Sequence, residues 1–412
     1  MIGTSTLANP AGTESYVLTV ARELHRLGHE PCVTADELGP VADIAEGSGI
    51  PLARTAGELP ASCDAVLAQD AMTAAALAAR YPDARVVQVA HSDSFDHQLP
   101  LLVDGVVDAV IVMSDRIAAR VRALPLDVPV IRLRQPVDTE RFVALGPIRE
   151  RPRRALILSH YLTGPRRRAL VDAWQAAGVE CVQVGAPGAT SVDVVPAIAD
   201  ADIVVGKARA VLEGMSCERA AYVFDDYAGD GWVTPDAYAS FEADAFAGFA
   251  TPAPRTPADL ARDLDGYDAN MGWLNRELVK AHHAARRHAI ELVDVLRGQA
   301  SPARRPLDGL TEIARLTRAN RDAERRALVL QREAVELRER TVAAEWTAER
   351  NDQLRAQAGE AAEDARVDAA AWRERAEEAE RQAADARALL ATRRARAGLA
   401  VGRSIDRVRG RR

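Results

Sequence analysis

The chain lacks any apolar run long enough to cross a bilayer; its most apolar stretches, such as residues 109–113, fall far short of the ~20 residues a spanning helix needs. No cationic start followed by an apolar segment opens it, so neither an integral membrane protein nor one secreted by a visible signal is expected. Cysteine is scarce and scattered. Cys32, Cys63, Cys181 and Cys217 show no short paired spacing, which argues against a zinc ribbon or a disulfide framework and fits a reducing, cytoplasmic compartment. Lysine is almost missing: Lys207 and Lys280 stand alone, and every other cation is arginine. With the abundance of alanine, that pattern reflects genomic base composition, and it lowers the weight of any arginine cluster taken alone. No segment has metal-ligand spacing, and no nucleic-acid-binding motif accompanies the acidic body. A metal, a tightly bound cofactor and a nucleic-acid partner are therefore not expected.

What is present is length and apolar content. A chain of 412 residues that is 48% hydrophobic can fill two ordinary cores. About a hundred residues are then left over for something extended. The formal charge of −7 is an average over unequal parts: residues 393–412 hold eight Arg and one Asp, a local +7, which leaves −14 for the rest. An acidic body carries a basic tip.

Residues 13–27 read as an amphipathic helix, with Val17, Val20, Ala21, Leu24 and Leu27 at helical spacing and Gly28 placed to end it. β-prone runs then alternate with helical patterns: strands at 64–68, 85–90, 108–113 and 128–133, with Ser114 or Asp115 capping a helix after the third. Such alternation implies a parallel, doubly wound sheet in a first domain spanning 1–145. The Pro- and Arg-rich stretch 146–154 breaks the pattern as a linker. A second alternating series follows, with strands at 155–159, 179–185, 202–206 and 221–224, and helices at 166–177, 209–219, 256–264 and 270–296, giving a second domain over 146–300. From 313 to 390 one register of alternating three- and four-residue steps runs unbroken through Leu316, Leu330, Leu337 and Trp372, so 311–392 reads as a coiled coil that would make a homo-oligomer. Its knobs are mainly Ala, with Asn351, Arg355 and Gly359 in the middle, and a single solvated helix is the alternative reading. Residues 393–412 form the Arg-rich tail, suited to an anionic membrane surface or to solvent.

Open α/β sheets bind ligands beyond the carboxyl ends of their strands, which directs attention to three places. Gly12, in the turn Gly12-Thr13-Glu14, lets backbone N–H groups approach a phosphate or sugar at a helix start. His91 directly follows the strand ending at Ala90. The third is the strand-to-helix passage carrying Lys207, Arg209 and Glu213, where a helix N-terminus and two cations would face a diphosphate and Glu213 would accept from ribose hydroxyls.

These segments resemble a known family. Ala11-Gly12-Thr13-Glu14-Ser15-Tyr16-Val17-Leu18 is similar to the glycine-glycine-x-glutamate helix start of family 4 GT-B glycosyltransferases. Pro136-Val137-Asp138-Thr139-Glu140-Arg141-Phe142 resembles their interdomain segment, and Leu212-Glu213-Gly214-Met215-Ser216-Cys217 their donor-site helix. Gly229-Asp230-Gly231-Trp232-Val233-Thr234-Pro235, followed by Glu242-Ala243-Asp244, looks like a bacterial subgroup.

The resemblance implies two Rossmann-like domains facing a cleft, the second holding a nucleotide-sugar co-substrate and the first a glycan or lipid-linked acceptor. It places His91 near the reacting carbon as the catalytic residue, Glu213 on the donor ribose, and Gly12 beside the donor phosphates with Lys207 and Arg209 as cations there. It also implies transfer of a hexose-type sugar with retention, without a metal. Three departures stand out. Val205 occupies the place of the first of two family glutamates, the Arg and Lys after the second domain's first strand are not in place, with Arg166, Arg167 and Arg168 or else Lys207 and Arg209 as the candidates to substitute, and the chain opens where the family has completed a central strand. That first strand is therefore expected to be truncated. A non-catalytic scaffold built on a degenerate transferase is the alternative function.

Overall fold

A computed structural model describes residues 1–93, 95–185, 193–251, 255–299 and 309–409. The chain forms two compact units, Met1–Leu328 and Val329–Arg412.

The first unit contains two sheets. In the first, the elements run β1 (Ile2–Leu7), α1 (Gly12–Arg26), β2 (Val33–Leu38), α2 (Pro40–Gly47), β3 (Leu52–Ala53), β4 (Ala65–Ala68), α3 (Ala71–Arg80), β5 (Arg85–Ala90), β6 (Ala109–Val112), α4 (Asp115–Arg122) and β7 (Val130–Arg132). The seven strands are ordered β3-β2-β1-β4-β5-β6-β7, all parallel. Strands such as Ala109–Val112 are buried throughout because helices cover both faces. Asp70 and Ser114 cap α3 and α4 by accepting from Thr73 N and Ile117 N.

The expected loss of the first strand is corrected here. Ile2–Leu7 is a full strand at the centre of the sheet, Ile2 opposite Val33 on one side and Leu67 on the other. Its Gly-Thr-Ser-Thr middle offers little apolar periodicity, yet Thr is a good strand former and Gly3 lets Leu77 of α3 press against the backbone.

The second sheet is built from β8 (Arg154–Leu158), α5 (Gly164–Ala176), β9 (Glu180–Val184), α6 (Val195–Ala199), β10 (Ile203–Gly206), α7 (Arg209–Ser216), β11 (Ala220–Phe224) and β12 (Gly229–Trp232), ordered β12-β11-β10-β8-β9. Three of its four pairings are parallel, and β12 returns antiparallel to β11. Four helices follow: α8 (Pro235–Ala243), α9 (Pro257–Asp263), α10 (Asn270–His282) and α11 (Ala285–Leu296). The stretch read as one helix over 270–296 is thus two, broken at His283 and Ala284. There Val137 N donates to His283 O at 2.8 Å and Ala285 N to Val137 O at 2.9 Å. The break turns the chain back: Leu292 and Val293 of α11 sit in the first sheet's core beside Leu18 and Val20, so the second domain's closing helix belongs to the first domain.

The last element, α12 (Leu310–Arg409), is one helix of 100 residues that contributes to both units. Here a second correction applies. The segment read as the start of a separate stalk is part of the first unit up to Leu328. Leu310 and Ala314 are buried in the core cluster of Val66, Ala74 and Val110. Arg318 pairs with Asp36 at 2.8 Å, Arg325 with Glu37 at 2.8 Å, and Glu324 with His97 at 2.8 Å. In the second unit Leu330, Leu337, Leu354, Trp372 and Leu389 are exposed. The side chains of the Arg-rich tail lie outside the described residues. No helix among the described residues is long and apolar enough to cross a membrane.

Candidate functional site

Each sheet has one place where the strand order reverses and the carboxyl ends of neighbouring strands diverge, between β1 and β4 in the first and between β8 and β10 in the second. Crevices of this kind are where open α/β sheets bind ligands.

At the first, the ends of β1, β4 and β5 gather Glu14, Gln69, Asp70 and His91. Gly12 opens α1 behind an N-cap, Ala11, that offers no side-chain acceptor, and a Cβ added to Gly12 would meet nothing within 4 Å. The helix start is therefore open on that side. His91 is half-buried; its Nε2 meets Gln69 Oε1 at 2.7 Å and its ring lies edge-on to Tyr16 with centroids 5.3 Å apart. Burial holds its pKa down to about 4, so at neutral pH the imidazole is uncharged, and with Nε2–H donated to Gln69 its Nδ1 is the ring's acceptor. Burial also pushes the Glu14 carboxyl up to about 7, against smaller opposing pulls from its own backbone N–H and from Arg325.

At the second, Ser159 Oγ accepts from Tyr161 N and Leu162 N and donates to Asp225 Oδ1 at 3.0 Å, which shapes the loop after β8. Lys207 pairs with Asp225 Oδ2 at 2.6 Å and lies 4.8 Å from the centre of the Tyr161 ring, one-third exposed. Ala208 between β10 and α7 has φ +48°, a left-handed conformation costly for a residue with a Cβ and common at ligand-binding turns. Its N–H donates to Phe246 O at 2.8 Å.

Arg209 does not face the cleft as an open cation. It is 7% exposed, and its guanidinium donates to Glu213 Oε1 at 2.8 Å, to Pro136 O at 3.1 Å and to Thr19 Oγ1 at 2.9 Å. Glu213 is buried with it; desolvation raises its pKa while Arg209 pulls the other way. Helix α1 is thus the meeting place of the two halves: Thr19 receives Arg209 from the second, and Tyr16, one turn earlier, faces His91. Val205 is fully buried in the second core beside Ile157 and Trp174, so the position compared with a family glutamate is a core strand position where a carboxylate would have no partner. Arg166 turns away to the Phe224 ring and the carbonyl oxygens of Asp225 and Ala228, and Arg167 to Gln183.

Several contacts between the two halves are pairings that the sequence does not record. Glu242 and Asp244 are interdomain latches: Glu242 holds Arg132 at 3.0 Å and Arg134 at 3.2 Å, while Asp244 holds Arg116 at 3.0 Å. His283 and His288 form a matched pair at the crossover. Each donates Nδ1–H to a carbonyl, of Gln135 and Arg134 at 2.8 Å, and each accepts at Nε2 from a tyrosine, Tyr238 at 2.8 Å and Tyr16 at 3.0 Å. Among the described residues no three His, Cys, Asp or Glu side chains converge to hold a metal ion.

No protein-family model matches the chain, and no curated protein does. Solved structures do. A glycosyltransferase from Rickettsia africae aligns with 14% identity and a TM-score of 0.52, over 72% of this chain and 97% of its own. HepE from Anabaena in complex with UDP and glucose aligns with 11% identity and a TM-score of 0.52, over 72% of this chain and 98% of its own. The same protein with UDP-glucose gives 12% identity and a TM-score of 0.51. At these identities the likeness is one of fold: the chain has the two-sheet GT-B architecture of glycosyltransferases, and carries further residues that those chains do not.

Proposed function

We propose that the chain is a glycosyltransferase that moves a sugar from a nucleotide-diphosphate-sugar to an acceptor hydroxyl. The observation that carries this reading is the second sheet's crevice, where Lys207 sits at the start of α7 behind the strained Ala208 turn. A cation at a helix start suits a departing nucleotide diphosphate without a metal. HepE of the same fold binds UDP and UDP-glucose, which supports a nucleotide-sugar as the co-substrate. In this reading Glu213 takes the donor ribose once Arg209 yields, Gly12 lies beside the phosphates, and neutral His91 acts at the reacting carbon through Nδ1. The chemistry retains configuration. The acceptor belongs to cell-envelope glycan or lipid-linked sugar synthesis on the cytoplasmic side. The exposed apolar seam of α12 joins copies into a coiled-coil homo-oligomer, and the basic tip rests on anionic lipid.

A second reading has its own observation. Arg209 fills the space beside Glu213, and Val205 supplies no carboxylate, an arrangement that also fits a non-catalytic scaffold. A panel of UDP, GDP, ADP and TDP with their common sugar conjugates, scored by thermal shift and donor hydrolysis, separates the two. Binding with slow hydrolysis supports the enzyme; no binding at millimolar nucleotide leaves the scaffold.

A further inference from the structure

The first turns of α12 are held to the first domain in two different ways. At their start the hold is apolar: Leu310 and Ala314 are buried in the core cluster of α3 and the sheet, and Gly309 before them turns the chain with φ +89°. Beyond Ala314 it is polar throughout. Among residues 315–328 the one buried side chain is Arg321, 3% exposed, while Leu316, Ala319 and Ala323 stand in solvent. The contacts there are ion pairs. Arg318 forks onto Asp36 at 2.8 and 3.0 Å, and Arg325 spans both oxygens of Glu37 at 2.8 and 3.0 Å. Arg321 reaches Glu37 at 3.1 Å and Ser5 O at 3.4 Å, and Glu324 meets His97 at 2.8 Å.

Those partners lie on both sides of the first sheet's crevice. Asp36 and Glu37 are near the end of β2, Ser5 belongs to β1, and His97 lies in the turn Asp96–Gln98 after β5. In the order β2-β1-β4-β5, a helix that touches the end of β2 and the turn after β5 passes the ends of β1 and β4 between them. Its charges act there. Arg325 opposes the rise of the Glu14 carboxyl at the start of α1, and Arg318 interacts with Asp70, the cap of α3. Glu14 and Asp70 are both buried.

An apolar hold and an ionic one part differently. Withdrawing Leu310 and Ala314 would empty a core site, whereas the pairs of Arg318 and Arg325 are partly exposed, are screened by salt and contribute little each. Lifting residues 318–325 uncovers no buried apolar side chain. It strands no charge either, because Arg321 keeps Asp322 at 2.8 Å within the helix, and Asp36 and Glu37 already reach water. We propose that residues 318–325 are a strap across the carboxyl edge of the first sheet, which pivots on Leu310 and Ala314 and opens the crevice between β1 and β4 when its ion pairs part. The strap belongs to the first sheet and does not rest on the glycosyltransferase reading; under that reading it governs what enters the first domain's side of the site.

Carbodiimide labelling of carboxyl groups on the full chain, read by mass spectrometry, tests the strap. Glu14 is the reporter, and Glu23, buried further along α1 and paired with Arg26, is the control. Arg318→Asp sets two carboxylates against each other at Asp36 and should raise Glu14 labelling about fivefold or more with Glu23 unchanged. Adding Asp36→Arg restores the pair in reverse and should bring Glu14 back to within about twofold of the wild type. The wild type in about 1 M NaCl should move in the same direction as Arg318→Asp. Glu14 labelling that stays at the wild-type level in Arg318→Asp and in salt overturns the strap; so does a rise that Asp36→Arg fails to reverse, since that marks damage to the fold. Calorimetry with UDP on the same proteins reports separately on the transferase reading. Wild type that takes no UDP but shows the reversible Glu14 response overturns that reading and leaves the strap standing.

Discussion

Glu213 is where the functional and the architectural roles make different numerical demands. Its carboxylate lies 2.8 Å from Arg209 Nε, with the two side chains 11% and 9% exposed. Glu213→Ala would leave the guanidinium buried with only Thr19 Oγ1 and the Pro136 carbonyl, and removing one partner of a buried pair costs about 3–5 kcal/mol. At about 2–4 °C per kcal/mol in a large domain, the unfolding temperature should fall by on the order of 10 °C. Glu213→Gln keeps an oxygen to accept from Arg209 and loses only the charge, so its fall should be smaller. Donor binding scales differently. If the carboxylate takes ribose hydroxyls, both variants lose a charge-assisted hydrogen bond, about 1.5–3 kcal/mol, which weakens UDP roughly 10- to 150-fold. Calorimetry on Glu213→Gln below its unfolding temperature isolates that term. Wild-type affinity for UDP in this variant, together with a lowered unfolding temperature, would refute the ribose role and leave Glu213 as the anchor of an interdomain strut.

His91→Ala should lower turnover by on the order of a hundredfold with UDP affinity nearly unchanged, since the residue sits on the first sheet and acts on the reacting sugar; a transfer assay beside calorimetry checks this, and lost nucleotide affinity would contradict it. A chain ending after Leu328 should scatter as a monomer while the full chain is a dimer or larger, and equal masses would reduce α12 to a single helix. A chain ending near Pro306 would strip Leu310 and Ala314 from the first core and should be less stable by about 2–5 kcal/mol, measured by denaturant unfolding. Burial depresses His283 and His288 to about 4 from 6.5, so the stability they contribute is complete above pH 6.5 and is lost as pH falls toward 4, about 3 kcal/mol each. Glu14, raised to about 7, acts with the opposite sign, costing stability as pH rises from 4.5 to 7 by about 3 kcal/mol, and the two histidines outweigh it. Unfolding midpoints followed from pH 4 to 7 should therefore rise, and in Glu14→Leu they should rise more steeply.

How far the fold was legible follows from which segments bury a continuous apolar face. Ala109–Val112 and Ala220–Phe224 are buried at every residue, and such runs declare themselves. Ile2–Leu7 is as central but spells Gly-Thr-Ser-Thr through its middle, and Val33–Leu38 reads Val-Thr-Ala-Asp-Glu-Leu, with Asp36 exposed and Glu37 half-buried toward the carboxyl end. Both owe their place to partners distant in sequence, which no local period records. The break between α10 and α11 was hidden for a related reason. Ala284 and His283 are acceptable in a helix, and the turn exists because Val137 exchanges backbone hydrogen bonds across it.

The site was legible as positions and illegible as pairings. Strand ends before helices singled out His91, Lys207 and Glu213, because a carboxyl-end rule needs only the order of elements. Whether a charge there is open to a ligand depends on what lies opposite, and Arg209 shows the difference. From its neighbours in sequence it is a cation at a helix start, whereas Thr19 and Pro136, far earlier in the chain, make it a buried strut. The same holds for α12. Its heptads continue unchanged from Ile313 past Leu328, so the pattern contains no boundary. What divides the helix is the complement of Asp36, Glu37 and His97 on the first domain, which Arg318, Arg325 and Glu324 meet in the first turns and nothing later in α12 is paired with among the described residues. A repeat that serves as a seam in one stretch can serve as a docked wall in another, since the apolar stripe and the charged flank of one helix are read by different partners.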